Sequence, residues 1–133
     1  MKVSVITVVR NDVKNIESCI KSVFMQNYEN IEYIVIDGKS DDGTTETIYR
    51  YKSKISKIIS EKDQGHIFAM NKGLNLANGD IVGFLHSDDM YADTDVIKKI
   101  VETFKSHQSD CVYGDLVYVD RENTNRIIRY WRA

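Results

Sequence analysis

Two adjacent carboxylates, Asp88-Asp89, close the apolar run Ile81 to Leu85 (IVGFL). An Asp-Asp dipeptide by itself is usually a solvated loop or a helix cap. Its place directly after what reads as a fully buried strand changes that reading, because acids gathered at neighbouring strand ends repel one another unless a cation or a proton compensates. A hard divalent cation that keeps some waters and draws further ligands from phosphate oxygens suits such a pair. Asp37 ends a second apolar run, Ile31 to Ile36 (IEYIVI), ahead of the polar loop Gly38-Lys39-Ser40-Asp41-Asp42-Gly43-Thr44. Asp41 or Asp42 is placed to cap the next helix, whereas Asp37 comes too early for that task. The Asp37 carboxylate can instead accept a hydrogen bond from a base N–H or a ribose hydroxyl. A third acid, Asp63, follows the short run Lys57 to Ser60.

Other chemistries lack their signatures. There is no GxGxxG and no GxxxxGK(S/T), which disfavours a nicotinamide enzyme or a P-loop NTPase. No G-x-S-x-G elbow supports a hydrolase triad. His66 and His107 read as surface or packing residues, and His86 as the residue that finishes its strand. Cys19 and Cys111 lie in apolar stretches without metal-ligand spacing, so they read as reduced, packed thiols of a cytosolic protein. A net charge of -2 offers no basic field for nucleic acid. No apolar stretch approaches the roughly 20 residues of a membrane span, and Val3 to Val9 lacks the pattern of a signal peptide. A cytoplasmic location is expected, with contact to the inner face of the membrane left to segments outside this chain.

The elements that must carry these acids follow from periodicity. Val3 to Val9 (VSVITVV) is a β-branched run for a buried strand, and Arg10-Asn11-Asp12 offers a helix cap after it. Val13, Ile16, Ile20, Val23 and Phe24 then recur at helical spacing. After the Asp37 loop a helix is expected over Thr45 to Tyr51. Ile67, Met70, Leu74 and Ala77 mark one helical face, which Asn78-Gly79 stops. Ile81 to Leu85 is the most continuously apolar strand. Val96, Ile97, Ile100, Val101 and Phe104 form another amphipathic helix. A strand over Cys111 to Val119 and a hairpin return over Ile127 to Trp131 complete the pattern. With 133 residues, 42% of them hydrophobic and 29% charged, one soluble domain over 1–133 is expected. Alternating apolar strands and helices predict an α/β, Rossmann-like three-layer sandwich with a mainly parallel sheet. In such sheets ligands bind outside the carboxyl ends of the strands, where Asp37, Asp63 and Asp88-Asp89 fall.

Three segments together resemble the A-type inverting glycosyltransferases of family 2. They are the opening strand with Asn11, the loop IDGKSDDGT (Ile36 to Thr44), and the block AMNKG…ANGDIVGFLHSDD (Ala69 to Asp89). YGDLVYVD (Tyr113 to Asp120) is similar to the strand after the acidic motif in bacterial polysaccharide-synthesis members. The resemblance implies a donor-binding part of a truncated GT-A type fold that uses a nucleotide sugar, a UDP-sugar by family habit, and a divalent metal, Mn or Mg. Thr7 and Val8 would lie along the base, Asp37 would hydrogen-bond it, and Lys62-Asp63 would line the nucleotide. Asp88 would contact ribose or metal, and Asp89 would be the main metal ligand. Arg10 stands where the family often has an aromatic residue, and its guanidinium can stack on a base or reach a phosphate. His86 stands where the acidic motif usually begins with Asp.

What the resemblance implies chemically is displacement at the anomeric carbon by a hydroxyl of a glycan or lipid-linked acceptor, with inversion, in cell-surface polysaccharide synthesis. The general base that inversion needs matches no residue here by position; Asp115 and Asp120 qualify by chemistry only. The base and the acceptor-binding half are expected outside this chain. Two other classes stand beside this one: a nucleotide-binding module without catalysis, and a response-regulator-like signalling domain with a metal beside a phosphorylatable Asp. The second lacks a suitably placed lysine at a later strand end.

Overall fold

The computed structural model describes residues 1–133. The expected single domain meets a chain that groups into two compact units, Met1–Val101 and Glu102–Ala133. In the first, strands β1 (Val3–Val9), β2 (Ile31–Asp37), β3 (Lys57–Ser60) and β4 (Ile81–Phe84) form one sheet in the order β3-β2-β1-β4. Every pairing is parallel, and Val9 lies level with Asp37, and Asp37 with Ser60. All seven residues of β1 are buried, as an interior parallel strand with helices on both faces requires.

The pleat divides the sheet's side chains between two layers. Ile6, Val8, Ile34 and Ile36 pack toward α3 (His66–Leu76) around Ala69, with Ile59, Met70, Leu76 and Ala77 at the margin. On the other face lie α1 (Ile16–Phe24) and α2 (Thr44–Arg50), where Phe24 meets Tyr33 edge-on at 5.8 Å between ring centroids. The domain is therefore an α/β three-layer sandwich with a parallel sheet.

Some local expectations change, and one left open is resolved. α1 starts at Ile16, with Asn15 rather than Asn11 or Asp12 at its cap. Asn11 instead takes a left-handed φ of 54°, accepts from the Asp41 N–H and donates its own N–H to Ser40 Oγ. Asp42, not Asp41, organises the start of α2, accepting from both the N–H and the hydroxyl of Thr44.

In α3 the helical period is as expected but its phase is not. Ile67 and Leu74 are exposed, and Ala69 and Gly73 face the sheet. A Cβ on Gly73 would stand 2.5 Å from Ile6 Cγ2, so the helix backbone lies directly on β1. The run ending in Asp88-Asp89 is an edge strand rather than a fully buried one, because β4 has β1 on one side only and leaves Val82 and Phe84 exposed.

Helix α4 (Val96–His107) leads from the first unit into the second. There β5 (Leu116–Val119) and β6 (Ile127–Trp131) pair antiparallel with a bulge at Tyr118/Val119. The strand expected from Cys111 begins only at Leu116. Cys111 is exposed, not packed, whereas Cys19 is buried as expected.

Candidate functional site

The carboxyl ends of all four parallel strands open into one cavity of about 370 Å³. β1 supplies Val8 and Val9 and, just past its end, Arg10; Gly38 follows β2, Asp63 follows β3, and His86, Ser87 and Asp88 follow β4. The N-terminal turn of α3 adds Gly65, His66 and Ala69. That helix start has neither a side-chain cap nor an acid in its first turn. Its free N–H groups and the positive end of the helix dipole favour an anion there.

Asp63 forms the most informative wall. Its side chain is only 9% exposed, and Lys72 Nζ donates to Oδ1 at 2.5 Å while also reaching Glu61 Oε1 at 2.6 Å. The other oxygen, Oδ2, is buried without a hydrogen-bond partner. The two neighbouring acids raise the Lys72 pKa, so the lysine stays charged and holds Asp63 in place. An unpartnered buried carboxylate oxygen costs free energy until a donor arrives.

Val8, Arg10, Asp63 and Asp88 line the cavity, so four of the residues selected from sequence are brought together. Gly38 has no Cβ, and the stem of Arg10 occupies the adjoining space, 3.4 Å from where one would stand. Thr7, Asp37, Lys62 and Asp89 are not in the lining. The Thr7 hydroxyl is fully buried in a network with Tyr33 Oη at 3.0 Å and Cys19 Sγ at 3.7 Å. Asp37 is fully buried too, and its oxygens accept from the Ser40 N–H, Ser40 Oγ, Thr45 Oγ1 and Ser60 Oγ. That carboxylate holds the loop carrying Gly38; a base N–H would have to displace one of those hydroxyls to reach it. Lys62 points into solvent.

Asp88 and Asp89 lie on a turn closed by the Asp89 N–H donating to the His86 carbonyl at 3.0 Å, and both side chains are exposed. Partial burial and the charge of Asp88 raise the Asp89 pKa, partly offset by His86. No third His, Cys, Asp or Glu gathers with them into a closed metal-holding group. Two hard carboxylates that destabilise each other fit an open divalent-cation site whose remaining ligands come from phosphate and water.

Sequence reasoning missed one pair. The rings of His66 and His86 face each other at 5.2 Å across the cavity wall, inclined by 35°. Twenty positions apart and on different elements, neither carries a local signal of the other.

A parallel α/β sheet with a cavity of mixed polar and apolar lining at its carboxyl ends defines a Rossmann-like class, in which ligands bind beyond the strand ends. The family model described as Glycosyl transferase family 2 matches residues 4–132, and the chain belongs to that family. An uncharacterized glycosyltransferase of Mycobacterium tuberculosis is 41% identical over 101 residues, covering 75% of this chain and 38% of that protein. Among solved structures, residues 1-349 of S. aureus TarS in complex with UDP superpose with a TM-score of 0.75 at 29% identity, over 83% of this chain and 34% of that one. The mannosyltransferase PcManGT of Pyrobaculum calidifontis, in complex with GDP-Man and Mn2+, gives 0.73 at 25% identity, over 90% and 36%. The chain thus spans well under half the length of these relatives. No helix is long and apolar enough to cross a membrane.

Proposed function

We propose that this chain binds the nucleoside diphosphate of a sugar donor, a UDP-sugar, and presents it for transfer with inversion to a glycan or lipid-linked acceptor in cell-surface polysaccharide synthesis. The observation that carries this reading is the cavity at the four strand ends, lined by Asp63, whose Oδ2 is unpartnered, and by Asp88, with Asp89 next to it in the chain. The UDP complex of TarS and the GDP-Man and Mn2+ complex of PcManGT support the donor class and a divalent metal.

In this reading Asp63 Oδ2 accepts a donor group of the nucleoside, an N–H of the base or a ribose hydroxyl. The first-turn N–H groups of α3 face the diphosphate, and Arg10 stacks on the base or pairs with a phosphate. Val8 gives the base an apolar floor, while Thr7 and Asp37 act beneath it by fixing the backbone of their strands and loop. Lys62, in solvent, contributes to the nucleotide only at the rim.

Asp89 and Asp88 would hold Mn or Mg, which when bound supplies positive charge against the diphosphate as it leaves. No residue of this chain is assigned as the general base. Asp120 accepts from the N–H groups of Glu122 and Asn123 in a turn, and Asp115 accepts from the Ala133 N–H, so both serve the hairpin. The activity of the whole protein is cytoplasmic in this proposal, with the acceptor handled outside residues 1–133.

Calorimetric titration of the chain with UDP and with GDP, each with and without Mn, tests the reading. UDP should bind, Mn should strengthen it, and Asp89→Ala should abolish the metal's effect. A folded chain with no affinity for either nucleotide, or metal enhancement that survives Asp89→Ala, overturns it.

A further inference from the structure

The acid pair hangs on a turn whose attachment lies elsewhere in the sequence. Ser87, immediately before it, donates its hydroxyl to Asp12 Oδ2 at 2.7 Å, joining the β4 end to the β1–α1 loop. Asp12 is itself immobilised on three sides. Asn15 Nδ2 donates to its Oδ1 at 2.7 Å, its N–H donates to Thr44 Oγ1 at 2.9 Å, and its carbonyl accepts from the Ile16 N–H at 3.1 Å. Both carboxylate oxygens are thus engaged, and Asp12 is tied to the start of α1 and to the start of α2 at once. A charge-assisted hydrogen bond to such an anchored acceptor is short and directional, which suits it to fixing a turn.

We propose that Asp12 is a positioning residue for the metal site: acting through Ser87 Oγ, it sets the orientation of Asp88 and Asp89 without touching metal or nucleotide. Two exposed carboxylates that repel each other would otherwise swing apart, and an open cation site binds weakly when its ligands are not held in advance. The inference rests on the reading of Asp88-Asp89 as the cation-holding pair. It adds that their competence is built into the opening loop of the chain, about 75 residues earlier.

The test measures UDP affinity with and without Mn and takes the ratio, the metal enhancement, for each variant. Asp12→Ala should reduce the enhancement about tenfold while metal-free UDP affinity stays within about twofold, and Ser87→Ala, whose residue lines the cavity, should reduce the enhancement by a similar factor. The double variant should lose no more than either single one, because both remove the same contact. Asp12→Asn, which retains an oxygen acceptor, should keep most of the enhancement. Enhancement unchanged in Asp12→Ala, losses that multiply in the double variant, or an equal fall with and without metal would each overturn the proposal. If circular dichroism shows Asp12→Ala unfolded, Ser87→Ala carries the comparison alone and with Asp12→Asn: normal enhancement in Ser87→Ala refutes it. Absence of any enhancement in the unaltered chain would instead refute the underlying metal reading.

Discussion

The two oxygens of Asp63 have different surroundings. Lys72 holds Oδ1, and Oδ2 of this cavity-lining residue is left buried without a donor. A group kept unpaired in the free protein is satisfied only by what binds. Asp63→Ala should therefore lower UDP affinity roughly tenfold or more, while thermal unfolding shifts by only a few degrees because Lys72 retains Glu61. A large loss of stability with unchanged affinity would make Asp63 a structural ion-pair member only. Little of this was legible beforehand. Asp63 is recognisable as an acid past a strand, but its state depends on Lys72 nine positions on, one full stretch of α3 away. Asp37 shows the converse: its place at the strand end was readable, yet Ser40, Thr45 and Ser60 converge on its oxygens only in three dimensions.

At the scale of elements, α3 is seated directly on β1. Gly73 has no side chain, and the Cβ of an alanine there would fall 2.5 Å from Ile6 Cγ2. Overpacking costs about 1–3 kcal/mol, against a helix-propensity gain of up to about 1 kcal/mol for replacing glycine. Gly73→Ala should lower the unfolding midpoint by a few degrees, read by calorimetry; a rise would show that the helix has room to move. β1 and β2 were readable from their β-branched runs because interior parallel strands are buried on both faces. The phase of α3 was not. Its inward residues are Ala69 and Gly73, which hydrophobic periodicity counts as weak, while the stronger signals of Ile67 and Leu74 point to solvent. β4 failed for another reason: an apolar run does not state whether a neighbour lies on one side or two.

Over the whole first unit, the end of the sheet opposite the cavity is fastened by one buried carboxylate. Glu32 on β2 accepts from Ser4 Oγ on β1 at 2.6 Å and from the Asn78 N–H at 2.8 Å, and Lys57 on β3 approaches at 3.2 Å. Burial alone would raise its pKa, but the hydrogen bonds from Ser4 and Asn78 and from Lys57 together hold it far below the ordinary 4.5. A depressed pKa contributes stability that is fully present above the unfolded-state value and is lost as pH falls below it toward the folded one. Glu32→Ala should cost about 3 kcal/mol near neutrality, and the gap from the unaltered chain should narrow steadily below about pH 4.5 in urea titrations. A gap that persists unchanged at pH 3 would remove Glu32 from this role.

The outer side of β4 carries a consequence for the chain in concentrated solution. Its N–H and C=O groups face outward beside exposed Val82 and Phe84, with neither a proline nor a lysine in the strand to discourage a neighbour. Such a margin is a template on which a second copy can lay its own strand. Sedimentation should show association that grows with protein concentration, and Val82→Lys should suppress it while leaving UDP affinity unchanged.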